Sequence, residues 1–536
     1  MYRIKSPAFV ALVIIGLIFT ATAVSVTAKS TDSSSLLLTS FVSYTSKATF
    51  KTLNSSSVPS NPYEGWNLTI EGRGVKAYPD LREYVWTTSR PPYGPFDKIA
   101  VHRILNPKLE SKGVVFILPG TWSNGEQLVS NPPEDSWTMF ENHSIAYYLA
   151  NRGFDIYSID YRTHFVPIYL NTSQLSFFAN WGWDQWISDI KEAVKLAKAL
   201  SGAQRIYLAG ESFGGIAAMN YASLYWAEDL KGIILLDGGT GGKNQSLVTN
   251  TFNLTRALNA MIATGTWARE VGSPGSIFLF KFAVENPGAP ANIPGTDIPL
   301  EPTINPITGK PWSNITEYLA YSIYMTWGPG VVSNIYGGYG DPSVMILINS
   351  RFDRYWPTRL TLESQAITDW DNCPYVKFDF DDNYINIDVP LLAFSSGLFG
   401  YVFFGPFIHG IANPDFTGIL LPSYGHLDVY AGEYSERDVN IPTYQWLISH
   451  RMLIGFSVIH GDNKGIYRTT IFINATTIDL KTSDLRVSWN IVFHETLKNL
   501  EIYRGKGELY NINILISSKG CAIAVGPLVL FAGKLV

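Results

Sequence analysis

Ile206-Tyr207-Leu208-Ala209 is a short apolar run that leads straight into Gly210-Glu211-Ser212-Phe213-Gly214, and a helical pattern follows from Ile216 through Trp226. A buried strand, a tight G-x-S-x-G turn and a helix in that order constrain the fold more than any other stretch of the chain. The serine must sit in a strained turn between strand and helix. Its neighbours two positions away on either side must lack side chains if the two elements are to pack closely. In that setting the Ser212 hydroxyl stands at the carboxyl edge of a sheet, on a helix N-terminus that favours developing negative charge.

The surrounding pattern supplies the sheet. Tyr84-Val85-Trp86-Thr87-Thr88 and Lys98 to Leu105 alternate as edge strands do, and Gly113 to Leu118 is a continuous apolar run suited to a strand buried on both faces. Ser144 to Asn151 reads as a helix closed by Gly153, Phe154 to Asp160 as a strand, Trp186 to Leu200 as a helix capped by Gly202, and Gly232 to Leu236 as a further strand. Strands and helices in alternation predict an α/β fold, a mostly parallel sheet with helices on both faces. From Thr240 to about Asn386 the alternation stops among prolines, tryptophans and helical pieces such as Leu254–Thr264 and Ile315–Trp327. This reads as an inserted cap. The sheet resumes at Val389 to Gly397 and ends with Phe416 to Pro422. His426 follows in Gly425-His426-Leu427-Asp428, where a turn after the last strand can carry it over the sheet edge toward Ser212, as a general base must be. The seven other histidines lack that setting.

The 536 residues are 46% apolar and only 16% charged, enough for a large core and too apolar for a disordered chain. A net charge of −5 without any basic block excludes nucleic acid as the expected partner. Two cysteines, Cys373 and Cys521, are too few for a disulfide scaffold or a zinc cluster, and leave one long-range disulfide or two thiols. Arg3 and Lys5 precede an uncharged apolar stretch, Ser6 to Ala28, with small residues near its end. That fits a secretory signal, and is also long enough for a retained membrane anchor. The expectation is an extracytoplasmic protein, secreted or anchored at the cell surface. Sequons at Asn54, Asn67, Asn142, Asn171, Asn244, Asn253, Asn314 and Asn474 allow a glycosylated surface.

The domain reading is therefore a signal or anchor at 1–28, a Ser/Thr-rich linker at 29–62, core at 63–239, cap at 240–386, core again at 387–452 and a β-rich C-terminal region at 453–536. In that last region Ile466–Ile473, Leu485–Val492 and Leu509–Ile516 alternate as strands, and the apolar tail from Cys521 to Val536 is short for a membrane span, so a buried strand is expected there.

Pro119-Gly120-Thr121, Ala150-Asn151-Arg152-Gly153-Phe154-Asp155-Ile156 with Asp160-Tyr161-Arg162, the Gly210–Gly215 elbow and Gly425-His426-Leu427-Asp428 together resemble the α/β-hydrolase superfamily over roughly Tyr84 to His450. The resemblance implies Ser212 as nucleophile, His426 as base, and an oxyanion hole built from the backbone N–H groups of Phe213 and Thr121. Pro119 departs from the pattern, because many members have histidine before the oxyanion glycine. The acid departs too. Most members carry it after the strand that precedes the histidine strand, but Ser395-Ser396-Gly397-Leu398-Phe399-Gly400 has no carboxylate. Some members place it one strand earlier, where Asp237 stands before two glycines. Asp415 is the other candidate, and Asp428 is too close to His426 in sequence to orient it. The implied function is an exported serine hydrolase that cleaves carboxylic esters, acting on a small-molecule or lipid-like substrate without cofactor or metal. A peptidase or amidase with the same triad, and a non-catalytic surface-binding protein on the same fold, are the alternatives.

Overall fold

The computed structural model describes residues 64–75, 78–129, 144–239, 256–327, 342–367, 380–397, 411–413 and 415–450, together with strands between 454 and 533. The N-terminal segment, Cys373, Asn142 and the sequons at Asn54, Asn244, Asn253 and Asn474 lie outside the described residues. The chain divides into two compact units, one holding Thr52–Thr443 and the other Tyr444–Val536.

The first unit is built on one nine-stranded sheet in the order β1-β2-β3-β5-β4-β6-β7-β10-β11. Its strands are β1 Asn67–Val75, β2 Tyr78–Ser89, β3 Lys98–Leu105, β4 Val114–Leu118, β5 Asp155–Asp160, β6 Ile206–Glu211, β7 Leu230–Leu236, β10 Leu391–Ser396 and β11 Phe416–Leu421. The first three run antiparallel to their neighbours, and β5, β4, β6, β7, β10 and β11 are all parallel. Every residue of β4, β5, β6 and β10 is buried, as expected of strands covered on both faces, and β4 (VVFIL) accordingly reads as a continuous apolar run. The helix Trp183–Ser201 turns Trp186, Ile187, Ile190, Val194 and Ala197 inward at helical spacing and ends on Gly202, whose φ of 70° is the left-handed cap. It starts three residues before the expected Trp186. Its first-turn Trp183 N–H donates to Glu363 Oε2 at 2.6 Å, an acceptor 180 residues away.

Close packing at the elbow explains its glycines. A Cβ on Gly214 would lie 2.0 Å from Leu118 O, and one on Gly238 would lie 2.1 Å from Ser212 O. These contacts are with backbone, which cannot swing away.

Between β7 and β10 the described chain forms helices Pro274–Glu285, Ile315–Trp327, Pro342–Ser350 and Thr358–Ile367 and a short ribbon of β8 Ala268–Glu270 with β9 Tyr355–Pro357. The ribbon is fastened to the core. Ala268 and Tyr355 join Val166, Leu175, Phe178 and Trp181 in one apolar cluster. Asp353 accepts from Thr163 Oγ1 at 2.7 Å and Asn124 Nδ2 at 2.9 Å, and its own N–H donates to Trp122 O at 2.7 Å.

A buried polar cluster ties β2, β3 and β5 together. His102 Nδ1 lies 3.0 Å from Glu83 Oε1, and its Nε2 lies 2.8 Å from Asp160 Oδ2. Burial pulls the imidazole pKa down, but the two carboxylates outweigh it and push it up to about 9. The charged form therefore stabilises the fold fully below pH 6.5, and that contribution is lost as pH rises through about 9. Unfolding free energy measured by urea titration should fall more steeply between those pH values in the parent than in His102→Gln.

The second unit holds two antiparallel sheets. One contains β12 Ile454–Asp462, β13 Gly465–Ile473, β14 Thr477–Lys481 and β15 Arg486–Asn490, and the other contains β16 Ile512–Ser517, β17 Gly520–Val525 and β18 Leu528–Gly533. The tail expected as one strand is thus a pair, β17 and β18.

Candidate active site

The parallel strands end at one edge, and their carboxyl ends carry the candidate residues. Ser212 follows β6 and precedes the helix Phe213–Asp229. Asp237 follows β7, and His426 lies in the turn after β11. The structure brings these three together. His426 Nε2 is 2.9 Å from Ser212 Oγ, and His426 Nδ1 is 2.7 Å from Asp237 Oδ2. The other Asp237 oxygen, Oδ1, accepts the Ser396 backbone N–H at 2.6 Å. Ser396 ends β10, so the strand end without a carboxylate instead holds the carboxylate of its neighbour. His426 and Asp237 are buried.

Asp415 is elsewhere. Its carbonyl accepts the N–H of Leu391 at the start of β10, and it precedes β11. A six-residue strand, about 20 Å long, separates it from the edge where His426 lies. Asp428 Oδ2 accepts the Gly425 N–H at 2.6 Å and so braces the His426 turn.

Burial, the largest influence on His426, lowers its pKa. The hydrogen bond and charge of Asp237, with the charges of Glu211 and Asp428, overcome that, and the net shift is upward from 6.5. Among the described residues no group of His, Cys, Asp and Glu side chains is arranged to hold a metal ion.

The backbone is strained at this edge. Four described non-glycine residues have positive φ, and three of them are here: Trp122 at 61°, Ser212 at 53° and Asp237 at 48°. With ψ at −120°, Ser212 sits where glycine is at ease and L-residues are not. An alanine there keeps the strain, and a glycine relieves it. Ser212→Gly should therefore be more stable than Ser212→Ala by about 1 kcal/mol in thermal unfolding, although glycine normally costs about 0.5–1 kcal/mol relative to alanine.

Thr121 occupies the second position of a turn in which Ser123 N–H donates to Gly120 O at 3.1 Å and Trp122 supplies the positive φ. Phe213 is the first residue of the elbow helix, where a backbone N–H has no partner within the helix. Its ring stacks on Trp183 at 5.1 Å and meets Trp356 edge-on at 4.9 Å. Two further side chains touch the site and were not among the expected site residues. Glu211 Oε2 accepts the Gly120 N–H at 2.9 Å, and Tyr161 OH donates to Pro119 O at 3.2 Å. The signal for Glu211 was its place inside the elbow motif.

No curated protein matches the sequence. A family model described as serine aminopeptidase, S33, matches residues 137–267, which include the elbow. A solved candidate lipase from Sulfolobus solfataricus is 37% identical, over 72% of this chain and 99% of its own, with a TM-score of 0.55. The chain belongs to the α/β-hydrolase superfamily. Monoacylglycerol lipase from Paleococcus ferrophilus is similar at 12% identity, over 63% of this chain and 95% of its own, with a TM-score of 0.35. Esterase E22 is similar at 11% identity, over 68% of this chain and all of its own, with a TM-score of 0.37.

Proposed function

We propose that this hydrolase cleaves carboxylic esters through Ser212, His426 and Asp237. The observation that carries the reading is the unbroken relay from Ser212 Oγ through both nitrogens of His426 to an Asp237 pinned by Ser396. Ser212 Oγ attacks the carbonyl carbon while His426 Nε2 takes its proton. Asp237 holds the tautomer and balances the imidazolium. The oxyanion is received by the N–H groups of Phe213 and Thr121. Collapse breaks the ester C–O bond, and the alcohol leaves with the proton from Nε2. Water then attacks the acyl-enzyme by the same route in reverse, giving the acid and free Ser212.

Ester rather than amide chemistry is favoured by the long match to the candidate lipase. The description of the family model is what supports the amidase reading. An apolar acyl group suits the buried aromatic cluster that Phe213, the residue after the nucleophile, forms with Trp183 and Trp356. Export rests on the residue pattern of Arg3 to Ala28. The test is a fluorophosphonate probe on the parent and on Ser212→Ala, followed by p-nitrophenyl esters of rising chain length and matching anilides. Labelling of the parent alone, with ester turnover well above anilide turnover, is expected. A folded parent that takes no label would overturn the reading and favour a non-catalytic binding protein.

A further inference from the structure

The relay leaves one buried titratable group beside Ser212 unused. Glu211 ends β6 and is 2% exposed. Burial pushes its carboxyl up to about 7, while His426 and the Gly120 N–H pull it down and Asp237 pushes it up. A charge-bearing side chain in that position needs a task, since burying it is costly.

Its contacts show the task. The Gly120 N–H that it accepts belongs to the same peptide unit as the Pro119 carbonyl that accepts from Tyr161 OH. A trans peptide is planar, with N–H and C=O pointing to opposite sides. Glu211 and Tyr161 therefore grip that plane from both edges and fix its rotation. The gripped unit lies against the nucleophile. A Cβ on Gly120 would come 2.4 Å from Glu211 Oε2 and 2.9 Å from Ser212 Cβ. The next N–H along the chain is that of Thr121. Tyr161 is itself held, 1% exposed, with its ring 4.7 Å from that of Trp186.

We propose that Glu211 and Tyr161 are positioning residues that clamp the Pro119–Gly120 peptide and so aim the Thr121 N–H at the oxyanion. The inference rests on the hydrolase reading above. Glu211 has a second effect because it is a carboxylate and not an amide. Its Oε1 lies 4.0 Å from His426 Nε2, the atom that gains a proton as Ser212 attacks, and its charge favours that imidazolium.

The test is steady-state kinetics of the full chain on p-nitrophenyl butyrate for Glu211→Met, Glu211→Gln, Tyr161→Phe and the Glu211→Met/Tyr161→Phe double variant. Thermal unfolding checks the fold. Glu211→Met removes the acceptor and should lower kcat about 100- to 1,000-fold with KM within about threefold, the range for losing an oxyanion donor. Tyr161→Phe should lower kcat about tenfold. Both act through one peptide, so the double variant should be no slower than Glu211→Met by more than about threefold. Glu211→Gln keeps an acceptor and loses the charge, so kcat should stay within about tenfold and the acid limb of the pH profile should move to lower pH. Single losses that multiply would overturn the clamp, as would a Glu211→Met kcat within threefold of an active parent. If Glu211→Met does not fold, unchanged kcat and an unchanged acid limb in both Glu211→Gln and Tyr161→Phe would overturn it. A parent that neither labels nor turns over would instead bring down the hydrolase reading, and this inference with it.

Discussion

Ester turnover by Ser212→Ala is expected to fall about 10⁴- to 10⁶-fold while the protein stays folded. The substitution removes one oxygen and alters no backbone hydrogen bond of the elbow. Ser212 N–H still donates to Leu236 O, and Ser212 O still accepts from Gly215 N–H. The fold has no reason to change, since alanine adopts the same strained backbone with a smaller side chain. The chemistry has every reason to change, because the hydroxyl that stands 2.9 Å from His426 Nε2 is removed. His426→Ala should cost a comparable amount, and the double variant no more than either single one, because nucleophile and base act as a unit. Rate measurement over a range of ester concentrations, with thermal unfolding alongside, makes the check. Turnover in Ser212→Ala within tenfold of the parent would place the reaction at another residue.

Much of this site was legible because its signals are local. The elbow needs only a strand, five residues and a helix; β6 starts at the expected Ile206, and the helix expected over Ile216 to Trp226 is present and runs from Phe213 to Asp229. His426 needed only a turn after the last strand. What could not be read depends on which strands lie side by side. Glu211 reaches Gly120 because β4 and β6 are neighbours, and Asp237 is held by Ser396 because β7 and β10 are. Neither adjacency follows from the order of elements along the chain. The early start of the helix at Trp183 was hidden for a similar reason. Gly182 offers no side chain to cap that helix, and the acceptor, Glu363, arrives from the inserted region. β1 was missed because its Asn67-Leu68-Thr69-Ile70-Glu71-Gly72-Arg73-Gly74-Val75 sequence carries two glycines and a broken register against β2, which blur a weak edge-strand pattern.

The acid is where two readings part most widely, and Asp237→Asn against Asp415→Asn separates them. Asp237→Asn should lower kcat about 10⁴-fold, the scale seen when a triad carboxylate becomes an amide. The mechanism follows from which oxygen is spoken for. Ser396 N–H donates to Oδ1 at 2.6 Å, so the amide oxygen of asparagine must take that side. Its NH₂ group then faces His426 Nδ1, which must accept. That places the imidazole proton on Nε2, toward Ser212 Oγ, and a protonated Nε2 cannot receive the serine proton. The loss of charge also has a sign. Asp237 raises the His426 pKa through its hydrogen bond and its charge, against the pull of burial. Attack needs neutral His426, so the acid limb of kcat/KM in the parent should lie above pH 6.5, and the residual activity of Asp237→Asn should have its limb at lower pH. Asp415→Asn, at the opposite end of β11, should change kcat by less than about threefold and leave the acid limb in place, because a half-buried charge about 20 Å away lies well beyond the Debye length. A large loss in Asp415→Asn with Asp237→Asn near parental would transfer the acid role to Asp415, and would require the sheet edge to be rebuilt during turnover.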